Sequence, residues 1–285
     1  MYKHLTVAEK LRIIALDYRK FSRRQIAIIS GRSIGTIRNL LEEKRIFKNP
    51  YKIRRIYNLN EDYFSNIDCK RKAYWVGWLW ADGNIFKRRI GMSLQHRDRY
   101  ILEQLRRDLQ SDYRIFDRYS KSFNKMVKNS YFQVISEKMK DDLANLNLFP
   151  NKGSFKYVPI IPIEFMPDFI RGVFEGDGFV SISKVSNAAG RVGIAGTKNV
   201  CFMIKKYLDM KFNRNFGLIF EKGKIDEFVI VRQDDMLGFY NLIYQNYGFC
   251  LKRKRYKFKS LLNKIKKMEK KFTSKYRGVY FVKSV

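Results

Sequence analysis

Histidine and cysteine are scarce in this sequence, and acidic residues are heavily outnumbered. Its 285 residues include two histidines, His4 and His96, and three cysteines, Cys69, Cys201 and Cys250. Two histidines leave little material for a histidine-rich metal centre. Three scattered cysteines supply neither a disulfide framework nor a CxxC zinc site. These shortages exclude nucleases built on paired histidines or on His/Cys zinc sites, and they suit a reducing compartment. There is no secretory signal and no long apolar run, so the expectation is a soluble, intracellular chain with no membrane partner. Acidic residues number 27 against 59 Lys and Arg, a formal charge of +32. Such an excess repels itself unless a polyanion is near, which points to nucleic acid. The basic residues are spread along the chain rather than gathered on one amphipathic helix, which argues against a membrane surface. Hydrophobic residues make up 45% of the chain, enough for a packed core.

The first 48 residues read as three short helices. "TVAEKLRIIALDYRK" (6–20) places Leu11, Ile14 and Ala15 at helical spacing. "SRRQIAIIS" (22–30) opens on Ser22 as N-cap and stops at Gly31. "SIGTIRNLLEE" (33–43) sets Ile34, Ile37 and Leu41 on one face. Two helices joined by a glycine-containing turn predict a helix-turn-helix domain over 1–48. Thr36, Arg38 and Asn39, on its outward positions, are side chains that reach bases and phosphates. A basic linker follows over 49–62, with Arg54 and Arg55 suited to a phosphate backbone.

Beyond the linker the chain repeats itself. "RIGMSLQ" (89–95) matches "RVGIAGT" (191–197) at an offset of 102, and a helical stretch follows each. "YFQVIS" (131–136) resembles "FVIVRQ" (228–233), and "FPNKGSF" (149–155) sits where "FCLKRKR" (249–255) sits in the second copy. Each copy reads helix, two strands, helix, two strands, helix. Turns are expected near Lys87–Arg89, Ser122–Asn129, Ser186–Gly190 and Lys222–Lys224. The copies span 63–157 and 158–272, and "VPIIPIEFMP" (158–167) is an extended connection between them.

Each copy opens with an aromatic-rich helix ending in Asp-Gly: "AYWVGWLWADG" (73–83) and "DFIRGVFEGDG" (168–178). Gly77 and Ala81 lie four apart on the first helix, Gly172 and Gly176 on the second, and small residues at that spacing let two helix backbones meet. The two helices are therefore expected to pair at the centre of the protein. An acid at a helix C-terminus faces the negative end of the helix dipole and the free carbonyls. If the pair is parallel, Asp82 and Asp177 lie side by side and call for a cation. Oxygen-only ligands select a hard one, Mg²⁺ or Ca²⁺.

These two stretches resemble the signature helices of the LAGLIDADG homing endonucleases, in the single-chain form with two copies. The resemblance covers 60–260. It implies an α+β fold of two pseudo-symmetric αββαββα repeats forming a DNA-binding saddle, here beside a small all-α helix-turn-helix domain. It further implies a monomer that cuts both strands of double-stranded DNA at a long site, with short 3′ overhangs, using Mg²⁺. Mn²⁺ is an alternative ion, and Ca²⁺ would support binding without cleavage. By the resemblance, Asp82 and Asp177 bind metal with the carbonyls of Ala81 and Gly176. The basic residues near the scissile phosphate fall on Lys152 in "NKGS" and Lys252 in "LKRK", and the water-ordering polar residues on Gln95 and Thr197. One position departs from the pattern. The sixth residue of the motif, often acidic in the family, is Trp80 in one copy and Glu175 in the other.

The chemistry agrees with the residue types. Phosphodiester hydrolysis needs an activated water and neutralised charge, which metal and lysine supply. Base reading would come from strand and turn residues, with Arg88, Arg89, Arg114, Lys121, Lys184, Arg191, Lys222, Lys224 and Arg253 as the basic group. The tail "TSKYRGVYFVKSV" (273–285) resembles the first strand of an AP2-type DNA-binding domain, a span too short for a domain. Two other functions fit the same fold: an intron maturase with intron RNA as partner, and a non-cleaving DNA-binding regulator. For the leading reading the expected location is the cytoplasm or nucleoid of a phage-infected bacterium, or an organelle.

Overall fold

The computed structural model describes residues 5–18, 21–47, 57–122, 125–149, 157–185, 188–223 and 225–276. The chain divides into two units, 1–56 and 57–285. The first holds α1 (Val7–Tyr18), α2 (Arg23–Ser30) and α3 (Ile34–Phe47). Ser22 and Gln25 form a capping box that starts α2: each side chain accepts from the other's backbone N–H. Gly31, at φ 64°, ends it in the left-handed region where a side chain is disfavoured. The small core is Ile13, Ile26, Ile37, Leu40 and Leu41. Here the sequence reading needs correcting, since Leu11 is 60% exposed and Ile34 42%. α1 carries apolar residues on more than one face, so spacing alone does not choose between them. Packing against Ile26 selects the face of Ile13. The Arg32 guanidinium, 2.6 Å from Glu9, pins the α2–α3 turn to α1 and holds the Glu9 carboxyl well below its ordinary value, at about 2.

The second unit is α+β. Its first repeat runs α4 (Lys70–Ala81), β1 (Gly83–Phe86), β2 (Arg89–Gln95), α5 (Arg99–Asp108), β3 (Ile115–Ser122), β4 (Lys125–Ile135) and α6 (Glu137–Asn145). Its second runs α7 (Met166–Asp177), β5 (Gly178–Ile182), β6 (Gly190–Gly196), α8 (Lys198–Phe212), β7 (Leu218–Phe220), β8 (Asp226–Ile230) and α9 (Gln233–Tyr244). Both are αββαββα, and the two antiparallel sheets have the same order, β1-β2-β4-β3 and β5-β6-β8-β7. Alternation sets which face of each strand is covered. In β2, Ile90, Met92 and Leu94 point into the core while Arg89, Ser93 and Gln95 are exposed. Two details differ from the sequence reading. The basic stretch from Lys252, which the apolar side of Tyr256, Phe258, Leu261, Leu262, Ile265 and Met268 makes the expected closing helix of the second repeat, is a further helix, α10 (Lys252–Tyr276); the closing helix is α9, whose Asp234 and Asp235 suit the positive end of a helix. β4 begins at Lys125, earlier than a turn reaching Asn129 allows, because pairing with β3 continues out to Ser122↔Lys125.

α4 and α7 pack on each other more extensively than any other described pair of elements. A methyl placed on Gly77 would come within 2.9 Å of Val173 N and 3.0 Å of Gly172 Cα, and nearer still to the Phe169 carbonyl oxygen. A methyl on Gly172 would meet Trp78 N, Gly77 Cα and the Tyr74 carbonyl at the same spacings. Residues 74, 77 and 78 thus face 169, 172 and 173, so the helices run parallel about a local twofold. Gly172→Leu is expected to cost at least about 1–3 kcal/mol by overpacking, and Gly77→Ala to destabilise as well. Gly35→Ala, where the nearest atom is Ser33 Oγ at 3.7 Å, should be tolerated. Thermal melts check all three. An unchanged melting temperature for Gly172→Leu would show that the helices do not meet at these glycines.

Candidate active site

The parallel pairing brings the two signature helices to a common end. α4 is apolar and buried from Ala73 to Trp80, and the Asp82 N–H closes its last turn on the Trp78 carbonyl at 2.9 Å. Gly83 then starts β1. A Cβ there would lie 2.6 Å from Leu79 Cα, so only glycine lets the chain turn from helix straight into strand. Gly178 stands likewise against Phe174, with 2.9 Å to its Cα. Asp82 and Asp177 are therefore exposed acids at adjacent helix ends. A methyl on Gly176 would overlap the Ala81 methyl and lie 3.3 Å from Asp82 Oδ2, which puts the Asp82 carboxylate against the last turn of α7.

A residue absent from the sequence reading occupies this end. The Lys254 ammonium donates to the carbonyls of Phe174 at 2.9 Å, Glu175 at 2.8 Å, Gly176 at 3.0 Å and Gly178 at 2.6 Å. It neutralises the negative end of α7. Burial, and then the charge of Arg253, hold its pKa down at about 8 against the upward pull of Glu175, Asp82 and Asp177. Lys252, the residue expected from position, is exposed, with Nζ 5.6 Å from the Tyr100 ring centroid. Two positions, about half a turn of helix, separate pattern from geometry: in "LKRK" the first lysine faces out and the second faces in.

The first turn of α10 joins both repeats. Lys252 N–H donates to Tyr100 Oη at 2.7 Å, and Arg253 Nε to the buried Asp98 at 2.8 Å. Leu251 N–H donates to Glu175 Oε2 at 2.7 Å, and the same oxygen accepts from Tyr74 Oη at 2.6 Å. Glu175 is 1% exposed, and burial pushes its pKa up to about 7 against those two hydrogen bonds and nearby Arg171. Arg171 lies over the Tyr74 ring at 4.8 Å and pairs with Asp168 at 2.8 Å.

The two sheets present unlike solvent faces. On the first, register aligns Arg89, Ser93, Gln95, Asn129, Tyr131, Gln133 and Arg118, with the Arg118 guanidinium 5.6 Å from the Tyr131 ring centroid. On the second, the corresponding face carries Ser181, Arg191, Ala195, Glu227, Leu218 and Phe220. Asp117, on β3, gathers Ser130 and Arg99 at 2.7 Å each and Lys128 at 3.2 Å, and these partners, Ser130 foremost, hold its carboxyl far below the usual range. His96 approaches the same carboxylate at 3.3 Å. The β3–β4 pairing, with Arg99 of α5 and His96 beside it, assembles this cluster, and no sequence motif announces it.

The other expected residues fall as follows. Gln95 is exposed at the end of β2, and Thr197 stands at the N-cap position of α8, where its buried hydroxyl makes no capping bond and has no hydrogen-bond partner among the described residues. Arg38, Asn39, Arg88, Arg89, Arg114, Lys121, Lys184, Arg191, Lys222 and Arg253 are exposed, and Thr36 is half-buried beside Ser33 at 2.9 Å. Lys222 is paired with Glu227 at 2.8 Å. Lys152, Arg54, Arg55 and Lys224 lie outside the described residues.

Two carboxylates and helix-end carbonyls, all oxygen, are the donor types that a hard divalent cation would take. Among the described residues no group of three or more His, Cys, Asp or Glu side chains converges as a metal site. Asp82 and Asp177 would hold the ion. The Gly176 carbonyl already accepts from Lys254, which leaves its second lone pair.

No protein-family model matches the chain, and no curated protein matches its sequence. Its fold is similar to that of the I-LtrWI LAGLIDADG homing endonuclease bound to target DNA, with a TM-score of 0.50 at 14% identity over 76% of this chain and 96% of that one. The I-CpaMI LAGLIDADG meganuclease bound to uncleaved DNA gives 0.48 at 17% identity over 71% and 94%. The N-terminal LAGLIDADG domain of DUF199/WhiA gives 0.44 at 18% identity over 65% and 87%. The first of these likenesses shows the fold, which is of the LAGLIDADG type. No helix among the described residues is long and apolar enough to cross a membrane.

Replacing Lys254 by Met should lower the urea-unfolding free energy by about 1–3 kcal/mol, since buried carbonyls lose a charged donor. Lys252→Met should leave it nearly unchanged. Equal midpoints for the two variants would contradict the placement of Lys254.

Proposed function

We propose that the chain is a site-specific DNA endonuclease of the homing type, a monomer that breaks both strands at a long recognition site with Mg²⁺. The observation that carries this reading is the pairing of α4 and α7, which ends two helices in acids at one place. A formal charge of +32 and a fold shared with a homing endonuclease bound to target DNA support it. In this reading Asp82 and Asp177 hold the cation at the centre of the groove. Bound there, it would neutralise phosphate charge and make water more acidic. Lys254 keeps the end of α7 neutral, so that a second negative group, the phosphate, can approach it. Gln95 would order water, whereas the hydroxyl of its counterpart Thr197 is buried and reaches no solvent. Lys152 and Lys252 are the further basic residues offered to the phosphate. The polar face of the first sheet reads base edges, with Arg suited to guanine and Asn or Gln to adenine. Intron RNA as a second partner belongs to the maturase alternative.

Asp82→Asn and Asp177→Asn should each abolish double-strand cleavage in Mg²⁺ while leaving DNA binding largely intact. Selecting a cleavable site from a random DNA library and assaying the variants on it checks this. Full cleavage by the double variant would end the enzymatic reading, and binding without cleavage by the wild type would favour the regulator.

The first unit is proposed as a helix-turn-helix that adds contacts beyond the saddle. Exposed Arg38 and Asn39 on α3 and the Gly31 turn support it. A chain beginning at Tyr57 keeps the bonds of Asn58 to Asp112 and of Asn60 to Leu109. It should still cut at high concentration, but bind more weakly and with a shallower salt slope, because fewer phosphates are neutralised. A footprint and salt series on both proteins test this. Identical footprints and slopes would mean that residues 1–56 do not contact DNA.

A further inference from the structure

The second motif keeps an acid where the first has none. By the helix pairing, Glu175 and Trp80 occupy equivalent positions, so the fold itself accepts an indole there. A carboxylate that is 1% exposed is costly to bury, and an apolar residue is the ordinary solution. Its two hydrogen bonds explain the acid. One is to Tyr74 of α4, and the other is to the backbone N–H of Leu251, the residue that caps α10 by accepting from Lys254 N and Arg255 N. Three residues further on, Lys254 returns to α7 and binds three of its last carbonyls, with that of Gly178 where β5 begins. The two helices therefore cap each other: a carboxylate of α7 sits at the positive end of α10, and an ammonium of α10 sits at the negative end of α7.

We infer that Glu175 is a positioning residue for the candidate active site. Its carboxylate fixes the first turn of α10 through Leu251 N–H, so that the Lys254 ammonium stands at the end of α7 beside Asp82 and Asp177. At the equivalent place of the first repeat the Trp80 indole has no oxygen to accept from a backbone N–H, so the effect is expected on one of the two strands cut. The strand assignment rests on the nuclease reading. The placement of Lys254 does not.

The test uses the full chain and two substitutions. Glu175→Gln keeps an oxygen that can accept both bonds, and Glu175→Leu keeps the volume and removes them. The first readout is amine-selective acylation under limiting reagent, followed by peptide mass spectrometry. Lys254 should stay protected in the wild type and in Glu175→Gln, and react roughly ten- to a hundredfold faster in Glu175→Leu, the worth of one charge-assisted hydrogen bond. The second is strand-resolved, single-turnover cleavage. Glu175→Leu should slow one strand by a similar factor and accumulate nicked DNA at unchanged DNA affinity. The slowed strand should be the one slowed by Lys254→Met, and Glu175→Gln should restore it. Should circular dichroism show that Glu175→Leu does not fold, Tyr74→Phe removes one of the two bonds at constant shape and should give a smaller change of the same sign. Unaltered Lys254 protection in a folded Glu175→Leu, or equal slowing of both strands, would overturn the inference. A wild type that cuts no DNA would sink the nuclease reading instead, with the acylation result still deciding the role of Glu175.

Discussion

The second unit is organised by a contact that involves almost no side chains: the backbone of α4 against the backbone of α7, at Gly77 and Gly172. Such an approach is possible only where both residues lack a Cβ, and it fixes separation and register together. Because it repeats the same distances in both directions, it also fixes a local twofold. The rest follows from that axis. The helices must run parallel, their C-termini must coincide, and the sheets that leave each helix at Gly83 and Gly178 must diverge with matching strand order. The acids at the helix ends are thus adjacent as a geometric result of the glycines.

That arrangement gathers negative charge. Two helix dipoles and two carboxylates end at one place, and among the described residues Lys254 supplies a counter-charge there to the second helix. Symmetry is already broken at this level. The second repeat couples its signature helix to α10 through Glu175, and both lean on the first repeat through Tyr74, Asp98 and Tyr100. The sheets diverge further. β3 and β4 are long and their outward face carries Arg118, Asn129, Tyr131 and Gln133 beside the exposed Phe116, whereas β7 spans three residues and its outward side chains are Leu218 and Phe220.

Much of this fold is legible in the sequence, because two physical signals are local. Small residues four apart mark the faces of α4 and α7 that meet, and Asp-Gly marks where each helix gives way to a strand. The internal offset then carries one half's organisation to the other. What escapes is whatever a neighbouring element decides. The buried face of α1 is chosen by Ile26, and nothing in "LRIIALDY" alone prefers Ile13 over Leu11. Lys254 and Lys252 are indistinguishable by type and differ only in which side of α10 faces α7. The Asp117 cluster needs the pairing of two strands before it exists. α9 is obscured in the sequence by Gly238, a weak helix former mid-helix that sits close to the Phe212 ring.

The mismatch between Ala81 and Gly176 has a consequence for how such a chain assembles. A twofold contact is self-complementary, so each repeat carries a surface that could in principle recruit its own kind. Two first repeats brought together this way would oppose the methyl of Ala81 to its own copy, at the place where even a single added methyl on Gly176 overlaps it. One alanine opposite one glycine fits where two alanines would not. This small steric difference makes the heterotypic pair, within one chain, the favoured association over homotypic pairing of the first half.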